Sequence, residues 1–141
     1  MSNFSTLIIN SHICKAIVFY SGANDLVGGN QDKSPTQILE TFKYVLKKLR
    51  TTHPITPVFW VYISPNESRW KVWDKVQQTN QMFKEYADNT GAFKVIEASS
   101  AFLNAEGKPI PTYYKPDKLH PTEEGYKAWA KLIKPYLDTL K

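Results

Sequence analysis

Two unbroken apolar runs, Ala16-Ile17-Val18-Phe19-Tyr20 and Val58-Phe59-Trp60-Val61-Tyr62-Ile63, constrain this chain more than anything else in it. Neither alternates with polar residues, so each reads as a strand buried on both faces, as in a parallel sheet. A third strand is expected at Phe93–Glu97. Between the strands the apolar period changes to that of helices. Ser34 suits an N-cap, Pro35 the first helical position and Gln37 the closing member of a capping box. Ile38, Leu39, Phe42, Val45, Leu46 and Leu49 then form one stripe that ends near Arg50. A second helix is expected from about Trp70 to Thr90, with Trp73, Val76, Phe83 and Tyr86 inward and Gly91 as a left-handed cap. The last helix opens at Thr122-Glu123-Glu124, with Tyr126, Trp129, Ile133 and Leu137 as its buried face. Leu7-Ile8-Ile9 is too short a run to assign.

The order β-α-β-α-β-loop-α, with right-handed crossovers, gives a parallel sheet with helices on both faces. At 141 residues the chain is read as one α/β domain, residues 1–141. The polar loops after the strands then gather at the carboxyl edge of the sheet, where open α/β sheets bind ligands.

The net charge of +5 comes from 18 Lys and Arg against 13 Asp and Glu. The bases, among them Lys43, Lys47 and Lys48, fall on helix faces and form no stripe with exposed aromatics. A solvated surface is therefore expected, with no nucleic acid as partner. Cys14 is the only cysteine, so no internal disulfide can form. His12, His53 and His120 share no ligand spacing, so no metal or other cofactor is expected. The amino end lacks a basic, apolar leader, and no run approaches the ~20 residues of a membrane span. A soluble chain is expected, cytoplasmic by default.

Two short stretches carry the chemistry. The first, Gly22-Ala23-Asn24-Asp25, follows the first strand. Asn24 offers an amide donor to an oxyanion, or equally the side chain of an Asx-turn. Asp25 reads as a turn or cap residue. The second, Asp117-Lys118-Leu119-His120-Pro121, precedes the last helix. A carboxylate three residues before an imidazole can hold one ring nitrogen and leave the other as a base. The same residues can also serve as a turn cap and a packed histidine. Arg69 and Trp70, after the second strand, are candidates to line a substrate cleft, as is Gly22 beside Asn24.

Together these stretches resemble the SGNH/GDSL hydrolase family from about Lys15 onward. Gly22-Ala23-Asn24-Asp25 is similar to its GxND block and Asp117–His120 to its DxxH block. The resemblance implies a flavodoxin-like α/β/α sandwich that hydrolyses carboxylic esters, with a small-molecule ester as partner. It assigns Asn24 to the oxyanion hole, His120 as general base and Asp117 as the residue orienting it. The family's GDSL serine block and second glycine block have no counterpart. Roughly fifteen residues precede the first strand, too few for two further strands with crossovers of about a dozen residues each. The resemblance thus implies a chain incomplete at its amino end and lacking its nucleophile. Ser2, Ser5, Ser11 and Ser21 lack the family's surroundings, with Ser21 the nearest substitute.

One edge of the first strand would then lie unpaired and invite self-association. A non-catalytic remnant that binds an acyl or carbohydrate ligand, or a partner chain, in the same cleft is the rival reading. A mononucleotide or receiver domain fits the topology, but no phosphate-cradling loop follows the first strand and nothing would explain Asp117 with His120.

Overall fold

The computed structural model describes residues 4–8 and 16–139. Four strands and three helices follow in chain order: β1 (Phe4–Ile8), β2 (Ile17–Ser21), α1 (Pro35–Leu49), β3 (Val58–Val61), α2 (Trp73–Thr90), β4 (Lys94–Ile96) and α3 (Glu123–Asp138). The strands lie in numerical order across one sheet. β2, β3 and β4 are parallel. Period-two alternation splits their side chains between two faces. Ile17, Phe19, Val58 and Trp60 meet Ile38, Phe42 and Leu46 of α1 and Val76, Phe83 and Ala87 of α2. Val18, Phe59, Val61 and Ile96 meet Ile133 of α3 on the opposite face. The result is a three-layer, flavodoxin-like α/β/α sandwich.

Local chemistry sets the helix ends. Ser34 Oγ accepts from Gln37 N at 3.1 Å while Ser34 N donates to Gln37 Oε1 at 2.8 Å, a closed capping box. Thr122 Oγ1 caps α3 through Gly125 N. Gly91 ends α2 at φ 68°, a left-handed turn. The second helix starts later than its apolar period predicts. Asn66 caps a 3-10 turn at Glu67–Val72, and Arg69 inside it takes a non-helical backbone (φ -117°), so regular α geometry begins only at Trp73.

Two expectations are corrected. The edge of β2 is not unpaired: β1 runs antiparallel along it, from Phe4 opposite Ser21 to Ile8 opposite Val18. An antiparallel neighbour needs only a short connection, so residues too few for a parallel crossover still satisfy that edge. Tyr126 is not buried with the inner face of α3 but is 57% exposed. It lies one turn into the helix, beside the cleft described below rather than over the sheet.

Phe83 anchors the α1/α2 layer, fully buried and stacked on Trp60 with ring centroids 3.8 Å apart. Three residues earlier, buried Asn80 meets the chain just after β3. Its Oδ1 accepts from Ile63 N at 2.8 Å and its Nδ2 donates to Ile63 O at 3.1 Å. Both backbone groups of Ile63 are buried, and an unsatisfied buried group costs about 1–3 kcal/mol. Replacing Asn80 by Ala should therefore lower stability by about 2–4 kcal/mol in urea unfolding; a loss below about 1 kcal/mol would show that other groups replace the amide.

Candidate active site

The loops after β2 and β3 and the segment before α3 enclose a cleft of about 600 Å³ at the carboxyl edge of the sheet. Asn24, Arg69 and His120 all line it. No aspartate or glutamate is among the described residues that do so.

Asn24 stands in a 3-10 turn, Ala23–Asp25, that begins at Gly22. Gly22 has φ 97°, and a Cβ there would come within 3.0 Å of Ile38 Cγ2, so both backbone and space call for glycine. Gly22 does not line the cleft; it sets the turn that presents Asn24. Asp25 faces away, paired with Lys33 at 3.4 Å. Leu26, 1% exposed, pins the turn to the core.

The Asp117–His120 segment is a tight loop. Lys118 takes φ 62°, and Lys115 N donates to His120 O at 2.8 Å. The two carboxylate oxygens of Asp117 divide the work. Oδ1 accepts from the backbone N–H groups of Leu119 (2.9 Å) and His120 (3.0 Å), and Oδ2 meets His120 Nδ1 at 2.6 Å. Asp117 is thus a turn cap and an imidazole partner at once. The His120 ring and the two backbone donors hold its carboxyl at about 2, below its ordinary 3.8. An ionised carboxylate only accepts, so in neutral His120 the proton sits on Nδ1 and Nε2 keeps its lone pair.

The connection after β3 ties these two loops together. Arg69 Nη1 donates to Ala23 O at 3.0 Å and to Asn24 Oδ1 at 3.3 Å. Ser68 N donates to Lys118 O at 3.1 Å, and Glu67 pairs with Lys118 at 3.1 Å. Tyr114 donates its hydroxyl to Pro65 O. Burial, then the neighbouring Tyr20, raises the Tyr114 phenol; burial also raises that of Tyr20, whose oxygen accepts from Ser64 N at 3.4 Å. Both phenols are therefore neutral at ordinary pH.

Trp70 is not brought into the cleft. It stacks on Trp73, with Lys108 Nζ 5.0 Å over its ring. Ser21 is also outside: its buried Oγ accepts from Trp60 Nε1 at 3.3 Å, on the α1/α2 face. Ser64 is the one serine among the described residues lining the cleft. Sequence reasoning missed it, along with Tyr20, Tyr114 and Gly125. Gly125 is buried in the first turn of α3, where a Cβ would fall 2.3 Å from Tyr113 O. A glycine inside a helical period signals only a propensity cost, so nothing in the sequence marked that close approach. Among the described residues no group of three or more His, Cys, Asp or Glu could hold a metal ion, and no helix is long and apolar enough to cross a membrane.

Residues 7–128 match the model of the GDSL-like lipase/acylhydrolase family. No curated protein matches the chain significantly. Solved structures do. A candidate platelet activating factor from Streptococcus pneumonia is 22% identical, with TM-score 0.77 over 88% of this chain and 60% of its own. A candidate acylhydrolase from Bacteroides fragilis NCTC 9343 is 21% identical, with TM-score 0.75 over 91% and 64%. A GDSL-like lipase from Bacteroides thetaiotaomicron VPI-5482 is 23% identical, with TM-score 0.70 over 88% and 62%. At these identities the likeness is one of fold, and this chain spans 60–64% of their lengths.

Because the Asp117 carboxyl is depressed, its contribution to loop stability is complete above its unfolded value and is lost as pH falls through about 2. Its side-chain carboxyl carbon should accordingly titrate by NMR with a midpoint near 2. A midpoint close to 4, the ordinary value, would mean that the His120 and backbone contacts are not kept in solution.

Proposed function

Because the chain belongs to the GDSL-like lipase/acylhydrolase family, we propose that its cleft is the base-and-oxyanion part of a Ser-His-Asp site for carboxylic ester hydrolysis. The observation that carries this reading is one cleft holding both the Asp117-oriented His120 and an Asn24 amide whose Nδ2 has no partner among the described residues.

In that mechanism His120 Nε2 takes the proton of a serine hydroxyl as its oxygen attacks the ester carbonyl. Asn24 Nδ2 donates to the resulting oxyanion, a contact worth about 3 kcal/mol in comparable sites. The bond to the alcohol breaks, and the alcohol leaves with the proton held on His120. Water, deprotonated by the same nitrogen, then attacks the acyl-serine; the bond to the serine oxygen breaks, that oxygen takes the proton back from His120, and the carboxylic acid is released. Asp117 keeps the ring oriented and stabilises the imidazolium at both steps. Ser21 does not supply that serine in this structure, since Trp60 holds its hydroxyl in the core. The partner is a small-molecule ester. Self-association through β2 is closed off by β1, so any such pairing would have to use the outer edges of β1 or β4.

Turnover of p-nitrophenyl acetate tests the reading, first by the chain alone and then with a serine-bearing strand segment from a structural relative supplied in trans. The chain alone should not exceed free imidazole. The added segment should produce turnover that His120→Ala and Asn24→Ala each lower by at least about 100-fold. Restored turnover indifferent to His120 would sink the assignment. Activity of the chain alone that falls in His120→Ala together with Ser21→Ala or Ser64→Ala would show instead that the site is complete with that serine. Ester binding with no turnover in either arm would favour a ligand-binding remnant.

A further inference from the structure

The hydrogen bonds at Arg69 go beyond lining a cleft. Its guanidinium carries only donors, so the atom of Asn24 that meets it must be the carbonyl oxygen. Turning the amide over would set N–H against N–H. Nη1 also holds Ala23 O, so a single nitrogen fixes both the backbone of the turn and the sense of the Asn24 side chain. Asn24 itself is exposed, and no other described contact settles which end of its amide faces the cleft.

Arg69 is itself held from the other side. Asn66 Oδ1 accepts from its backbone N–H at 2.9 Å. Ser68 and Glu67, immediately before it, bind Lys118 inside the Asp117–His120 loop. No carboxylate pairs with Arg69 among the described residues, so its fork is not drawn elsewhere by an acid.

We propose that Arg69 is a positioning residue for ester hydrolysis, which locks the Asn24 amide with its two N–H donors turned into the cleft. The inference rests on the reading of Asn24 as the oxyanion donor. Without Arg69 the amide rotates freely and presents its oxygen to a developing oxyanion for part of the time, which repels rather than stabilises. The geometry also means that donor and base are registered to each other through one connection, Asn66–Arg69.

The test starts from the isotopically labelled chain as it exists. The side-chain amide signals of Asn24, assigned by their loss in Asn24→Ala, should lie away from the positions of free asparagine. In Arg69→Met they should collapse to those positions while the backbone signals of Leu119 and His120 stay in place. Arg69→Lys, with a mobile ammonium in place of a fork, should move them partway. That variant carries the test if Arg69→Met does not fold. Amide signals unmoved in the folded variant would overturn the proposal.

A kinetic arm uses whichever form turns over p-nitrophenyl acetate, the chain alone or the chain with the serine-bearing segment. There Arg69→Met should lower kcat about 10- to 100-fold with KM held, and the Arg69→Met/Asn24→Ala double variant should be no slower than Asn24→Ala alone. Losses that multiply would overturn the proposal. If the amide is released in Arg69→Met while Asn24→Ala leaves turnover untouched, the lock stands and it is the oxyanion reading that fails.

Discussion

Ile63 leaves the sheet while still inside the core, 3% exposed, with an N–H and a C=O that water cannot reach. Asn80 meets both with one amide. That pair of bonds fixes the point from which the connection across the cleft starts. The chain beyond Ile63 becomes the connection that bears Ser64, Pro65, Asn66 and Arg69, and this connection reaches the Asn24 turn on one side and the Asp117–His120 loop on the other. Were Ile63 free to move, the two loops would lose the piece that registers them. An amide is well suited to this place because it offers a donor and an acceptor on one short, planar group.

Electrostatics in the cleft follow from the same arrangement. The carboxylate that serves His120 stands outside the lining, on the solvent side of its loop, with 47% of its side chain exposed. Inside, the lining offers the His120 imidazole, the Arg69 guanidinium, the amides of Asn24 and Asn66 and the phenols of Tyr20, Tyr114 and Tyr126, and among the described residues no acid. Among the described residues the cleft therefore carries neutral polar groups and the cationic Arg69 but no fixed negative charge. Tyr20 and Tyr114 add no charge to it: burial disfavours their anions, so both phenols stay protonated.

Much of the fold was legible because its signals are short in range. Unbroken apolar runs gave β2 and β3, the Ser34–Gln37 capping box gave the start of α1, and Gly91 gave the end of α2. What was not legible depended on partners distant in sequence. Residues 4–8 form a strand only because the edge of β2 offers them a ladder; Leu7 and Ile8 carry too little periodicity of their own. Tyr126 fits an inward helical position by spacing, yet the cleft beside the first turn of α3 leaves it exposed. The candidate site divides in the same way. Asp117 with His120, and Gly22 with Asn24, are each local in sequence. The Arg69–Asn24 bond spans 45 residues and Trp60–Ser21 spans 39, and no pattern announces either. Trp70 shows the converse: its place beside Arg69 suggested the cleft, but the turn that aims Arg69 inward sends the indole to Trp73.

The antiparallel run of β1 has a practical corollary. Because Phe4 pairs opposite Ser21, the amino end of the strand emerges at the carboxyl edge of the sheet, a few residues from the Asn24 turn. α3 runs the other way, beginning at Thr122 next to the cleft and carrying the chain about 24 Å from it over 16 residues. Positions along α3 are therefore unequal as points of attachment. A fluorophore on exposed Lys134 in the far half of α3 would ride clear of the cleft, whereas one on Tyr126 in its first turn would sit at the rim and compete with whatever is offered there.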